Sequence, residues 1–204
     1  MVGALIKNGI FDKIVKENRV SKRKGVLFFL AKFFGSYFFM FAMYSYYLHA
    51  TQEKGSKFQC APVTEKVAEQ TLAVLHFFGY NAAMEQHDQE LSIKLRLNDV
   101  YLARVIEGCN SISVIILFVA FIVSFPGPLK KTFLYALGGG MLIYGINILR
   151  IAFLTVALEK LPEQKEMLHN LIFPSIIYGL VFLLWVVWVN YFSNHKQVRN
   201  EKNN

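Results

Sequence analysis

The sequence predicts an all-α polytopic membrane protein: a four-helix transmembrane bundle carrying a small extracytoplasmic element of helix plus β-hairpin. Three observations predict it. Of 204 residues, 54% are hydrophobic and only 18% are charged, whereas a soluble domain carries about 25% charged residues. The apolar residues fall into long uninterrupted blocks. The Lys and Arg residues behind the net charge of +8 gather mainly at the ends of those blocks. So much apolar content excludes disorder. The placement of the charge argues against nucleic acid as a partner, although the balance is basic.

Four blocks can cross a hydrocarbon core of about 30 Å, which takes roughly 20 residues. They are residues 26–49, 111–125, 132–158 and 170–192. The second is short and has to borrow a turn from its flanks. The third is long and has to tilt or leave the lipid. The first exceeds a signal-peptide core and is followed by no small-x-small site, so it is expected to stay as an anchor. Residues 1–25 then form a basic cytoplasmic segment, 26–192 the membrane domain and 193–204 a polar cytoplasmic tail.

Orientation follows from the basic flanks. Lys7, Lys13, Lys16, Arg19, Lys22, Arg23 and Lys24 precede the first block; Lys130 and Lys131 separate the second from the third; Lys196, Arg199 and Lys202 follow the fourth. Four crossings put all of them on one side, the cytoplasm. A bacterial inner-membrane protein is expected, with both termini inside and residues 50–110 and 159–169 outside. Lys32, within two turns of the inner end, is expected to snorkel there. Tyr44, Tyr46 and Tyr47 predict an outer aromatic belt, and Trp185, Trp188 and Tyr191 an inner one.

The outer region carries its own patterns. Residues 64–78 place Val67, Val74, Leu75 and Phe78 at helical spacing, predicting an amphipathic helix near the interface. In 92–97, Ile93, Leu95 and Leu97 alternate with Lys94 and Arg96. Asn98-Asp99 predicts a turn and 100–106 the return strand. The hairpin leads directly into Glu107-Gly108-Cys109-Asn110 at the mouth of the second span.

Topology brings three reactive side chains to one depth. Cys109 lies two residues before the second span, and His169 immediately precedes the fourth. Arg150 stands about 28 Å up the third span, counted from Lys131 at 1.5 Å per residue. A thiol becomes nucleophilic as thiolate, which a neighbouring cation favours. Histidine can accept the thiol proton and return it to a leaving amine. Arginine stays charged and can stabilise an oxyanion. The set suggests acyl transfer on a peptide through a thioester. Each residue also has a plainer use: Cys109 in a bridge to Cys60, Arg150 snorkelling to headgroups, His169 as an interfacial histidine.

Glu107-Gly108-Cys109-Asn110-Ser111 before a span, Asn147-Ile148-Leu149-Arg150 within the next, and His169 opening the last together resemble the exosortase/archaeosortase family. The Glu-Gly-Cys-Asn form is similar to its exosortase F branch. The resemblance covers roughly residues 22–192, with these three motifs as its specific part. It implies a membrane cysteine protease/transpeptidase that cleaves and transfers C-terminal sorting signals (short motif, span, basic cluster) of exported proteins. The partners implied are such a substrate, membrane lipid and a candidate co-encoded membrane protein. It implies Cys109 as nucleophile, with Arg150 and His169 as the other catalytic positions. Asn147, Glu107 and Asn110 are candidate supporting residues. The chain departs from the more usual family pattern, Ser-Gly after the cysteine, by carrying Asn110-Ser111.

Other features take structural readings. Ala136 and Gly140, around Gly138-Gly139-Gly140, have the small-xxx-small spacing that permits close helix packing. Asn147, one turn before Arg150, can orient it or bond across helices. Glu107 can pair with Arg150 or stay solvated. Pro174 shapes the start of the fourth span. His49, His76 and His87 lack i, i+4 ligand spacing, so no metal site and no cofactor are expected. Two rival functions stay open at this level: a non-enzymatic assembly factor with a Cys60–Cys109 disulfide, and a small transporter subunit using Arg150 as an anion site.

Overall fold

The computed structural model describes residues 2–53, 58–164 and 167–192, with side chains from Lys24 onward except those of Pro162, His169, Asn170 and Phe173. The polar tail expected at 193–204 lies outside the described residues. Helix α1 runs through Val2–Thr51. Helix α2, Pro62–Phe77, follows. A three-stranded antiparallel sheet comes next, with β1 Ala82–Gln86, β2 Ser92–Leu97 and β3 Val100–Ile106 in that order. A 3-10 turn, Glu107–Cys109, leads into α3, Ile112–Ser124. Helix α4 spans Leu129–Lys160, and α5, Phe173–Val187, is flanked by π turns at Leu168–Ile172 and Trp188–Phe192.

Three helical stretches are long and apolar enough to cross a membrane: Lys24–Thr51, Leu129–Lys160 and Pro174–Phe192. The second apolar block folds as a helix of only 13 residues, about 20 Å at 1.5 Å per residue. It borrows no turn from its flanks. At its end Phe125 is extended and Pro126-Gly127-Pro128 cannot continue a helix. At its start Ser111 is left-handed and the preceding turn is already 3-10. The third block instead overshoots the core, with 32 residues in α4. Its second half leaves the bundle and becomes the spine on which α2 and the sheet pack.

The bundle core is formed by α3, α4 and α5 around Phe118, Ile122, Ile143, Val181 and Trp188. Helix α1 leans on α3 through aromatic contacts of Phe29 and Phe33 with Phe121, and of Phe29 with Phe125. Lipid is as apolar as these side chains, so close packing rather than the hydrophobic effect holds such contacts. Gly139 shows how close. A Cβ there would stand 2.4 Å from Phe118 Cζ, so the Phe118 ring lies flush on the α4 backbone. Ala136 and Gly140 therefore do not make the tightest contact; both line an open groove instead. Trp188, expected in an interfacial belt, is fully buried and packs against Tyr135 and beneath Gly127.

The cap has a water-type core. Cys60, Val67, Ala68, Ile93, Leu95, Val105 and Ile151 form one buried cluster, each large apolar side chain contributing roughly 1.5–3 kcal/mol. The alternation in β2 holds, since Ile93, Leu95 and Leu97 all face inward. Asn98 and Asp99 both adopt positive φ, the type I′ geometry that matches strand twist in two-residue hairpins. The expected hairpin is one strand short of the sheet. β1 reads Ala-Ala-Met-Glu-Gln, a composition with little β propensity, and is specified by its pairing with β2 rather than by its own side chains. Nor does α2 simply lie at an interface: Thr64, Val67, Ala68, Thr71 and Leu75 face the cap. Gln70 accepts a 2.6 Å bond from Tyr144 on α4.

Candidate active site

Cys109 sits where the sheet hands the chain to the bundle. β3 delivers it, the 3-10 turn presents it, and the left-handed Ser111 (φ 62°) swings the chain into α3. That conformation costs a non-glycine residue roughly 1–2 kcal/mol. Here the Ser111 hydroxyl is buried and donates to the Asn110 carbonyl at 2.7 Å.

The turn is strapped from three sides. Glu107 Oε1 accepts from the Ala61 backbone N–H at 2.9 Å, and its Oε2 accepts from the Thr64 hydroxyl. Asn110, fully buried, donates through Nδ2 to Tyr44 Oη at 2.6 Å and to Thr64 Oγ1 at 3.1 Å, with a weaker approach to Glu107 at 3.4 Å. Its Oδ1 caps α3 by accepting from the Ile112 N–H at 3.0 Å. Glu107 thus neither pairs with Arg150 nor stands solvated; it ties the cysteine turn to the start of α2. Tyr44 and Thr64 went unrecognised in the sequence. Their partners lie 66 and 46 residues away, and no local pattern records such a bond.

The third strap comes from α4. Asn147, 1% exposed, donates through Nδ2 to the Cys109 carbonyl at 2.7 Å. Of the two uses open to Asn147, the structure selects bonding across helices. Ile151, on the same α4 face, belongs to the cluster on which Cys109 packs. Arg150, three residues beyond Asn147, is its neighbour on the helix surface. Its Nε is buried and has no hydrogen-bond partner among the described residues. Buried donors are ordinarily paired, so Arg150 Nε is free to take an acceptor not among the described residues.

His169 has its backbone in the π turn at Leu168–Ile172; its side chain lies outside the described ones. The preceding Leu168 is buried against Leu154 and Leu158. Leu154 is one turn beyond Arg150, about 6 Å along the axis. The turn that carries His169 therefore docks on α4 one to two turns beyond Arg150, about 6–12 Å along the axis.

Both cysteines are free. Cys109 is partly buried, whereas Cys60 is 1% exposed. Burial pushes the Cys60 thiol up to about 11, against a lowering by the Gln86 amide. Burial and the raised thiol pKa both disfavour reaction at Cys60, whereas Cys109 is the more accessible of the two sulfurs.

The family model for transmembrane exosortases matches residues 24–192. The chain belongs to the transmembrane exosortase family. The match takes in the three membrane-length helices, the cap and the cysteine turn together. Exosortases are cysteine-type transpeptidases acting on exported proteins with C-terminal signals; the family match and the membrane-length helices make this chain a polytopic membrane protein. No curated protein and no solved structure matches the chain.

Proposed function

We propose that this exosortase is a cysteine transpeptidase of the F branch, with Cys109 as nucleophile, Arg150 as oxyanion partner and His169 as proton carrier. The observation that carries the reading is the cysteine turn itself. A partly exposed cysteine is fixed through its backbone carbonyl to Asn147, three residues from a buried guanidinium nitrogen that has no acceptor among the described residues. A preorganised donor of this kind stabilises charge that develops only as the carbonyl is attacked.

The steps balance as follows. His169 takes the Cys109 proton, and the thiolate adds to the scissile carbonyl of a membrane-tethered substrate. Arg150 holds the resulting oxyanion. The tetrahedral species collapses, the C–N bond breaks, and the imidazolium returns its proton to the departing amine. An acyl thioester remains on Cys109. An acceptor amine, or water, then attacks it and restores the thiol. Asn147, Glu107 and Asn110 are positioning residues: they hold the turn and touch no reacting atom.

Four crossings, with both termini cytoplasmic and the cap periplasmic in a bacterial inner membrane, suit this chemistry. The short α3 then completes its crossing through the Phe125–Pro128 connection, where the surrounding bilayer thins. The test is processing of a co-expressed exported protein that ends in a span and a basic tail. Cys109→Ala and Cys109→Ser should accumulate the uncleaved form; normal processing by either variant removes the nucleophile assignment. Because both thiols are free, the disulfide-scaffold alternative has no support here.

A further inference from the structure

A sizeable apolar groove lies away from Cys109. It holds about 760 Å³, lies between α1, α3 and α4, and is walled by apolar side chains including Ile115, Val119, Ala136 and Met141, with Gly140 leaving its floor open. One charged residue lines it, Lys32. The ion pairs of the described residues all lie in the cap. Lys32 has no acidic partner among those residues; its Nζ stands 5.8 Å from the Phe28 ring, a contact that leaves the ammonium uncompensated.

Depth can be read from two hydrogen bonds. Tyr44 bonds to Asn110, which puts Lys32, twelve residues down α1, about 18 Å below the cysteine turn. Asn147 bonds to Cys109, which puts Lys131, sixteen residues down α4, about 24 Å below it. The difference is within the reach of a snorkelling lysine stem. Lys130 and Lys131 are exposed and bracketed by Leu129 and Thr132, which both line the groove. Lys32 thus lines the groove, and Lys130 and Lys131 flank its Leu129–Thr132 rim at the end remote from Cys109.

We propose that this groove binds one anionic phospholipid of the cytoplasmic leaflet, its phosphate held by Lys32, Lys130 and Lys131 and an acyl chain laid along Ala136 and Gly140. Charge selects this occupant. A substrate span ending in a basic cluster would bring like charge to three lysines, whereas a phosphate neutralises them. The site needs the cytoplasmic placement of Lys130 but not the chemistry at Cys109, so it can fail or stand apart from the catalytic assignment.

Native mass spectrometry of the full chain, extracted in mild detergent with equimolar phosphatidylglycerol and phosphatidylethanolamine, tests it. The wild type should retain one phosphatidylglycerol in preference. Each of Lys32→Ala, Lys130→Ala and Lys131→Ala should cut that preference about fivefold, the equivalent of about 1 kcal/mol per surface lysine. Ala136→Trp, which fills the groove and leaves the charges, should lose retention of both lipids while eluting as the wild type does. Equal retention of the two lipids by the wild type, an unchanged preference in the triple lysine variant, or a protein segment retained in place of lipid would overturn the proposal.

Discussion

At the residue scale the two cysteines are separated by their surroundings rather than their chemistry. Burial holds Cys60 at about 11, so near pH 8 only about one in a thousand of its thiols is ionised. Cys109 is open to solvent in part. A maleimide reagent applied to the native protein should therefore label one site. Cys109→Ala should abolish that labelling, and Cys60→Ala should leave it intact. Labelling of native Cys109→Ala at the wild-type rate would contradict the burial described here. Asn147→Ala leaves the Cys109 carbonyl without its donor, at a cost of about 1–3 kcal/mol. Processing should fall roughly tenfold or more, while Cys109 keeps its reactivity towards maleimide. Arg150→Lys keeps the charge but loses the guanidinium donors, so processing should fall by about 10²–10³. Arg150→Ala should fall further. Equal losses in the two Arg150 variants, with Cys109→Ala active, would favour an anion site in a transporter.

At the element scale, close packing makes its own forecast. Gly139→Leu drives a side chain into the Phe118 ring, already within 2.4 Å of a Cβ, and should destabilise the bundle by about 1–3 kcal/mol. Adding Phe118→Ala should restore part of that loss. Thermal unfolding in detergent reads both, and a neutral Gly139→Leu would contradict the contact. Legibility differs from element to element for physical reasons. β2 was readable because its buried face imposes alternation on Ile93, Leu95 and Leu97, the turn because Asn-Asp tolerates left-handed φ, and β3 as the strand that must return from that turn. β1 was not readable, because an alanine-rich edge strand takes its conformation from its neighbour. The length of α3 was only half legible: the apolar run is clear, but Pro126 and Pro128 set a limit that hydropathy averages away. The groove was invisible, because small residues at helical spacing look alike whether they face a helix or a lipid.

At the scale of the whole molecule, a four-layer sequence logic of anchor, cap, short helix and long spine converges on a single turn. The three candidate catalytic positions are proposed from a coincidence of depth in the sequence. Of the network that holds the Cys109 turn, Asn147, Glu107 and Asn110 were nameable in the sequence, but Tyr44 and Thr64, which reach the turn from separate elements, were not. Glu107→Ala, which releases the turn from Ala61 and Thr64, should lower processing without changing which bond is cut. The central claim is that Cys109 carries the acyl group. Its most direct measurement is peptide mapping of the protein isolated under acid from cells that express a substrate with a C-terminal span and basic tail. The account predicts a hydroxylamine-labile adduct on the peptide bearing Cys109, absent from Cys109→Ala. Efficient processing with the Cys109 thiol never modified, or an adduct confined to Cys60, would contradict it.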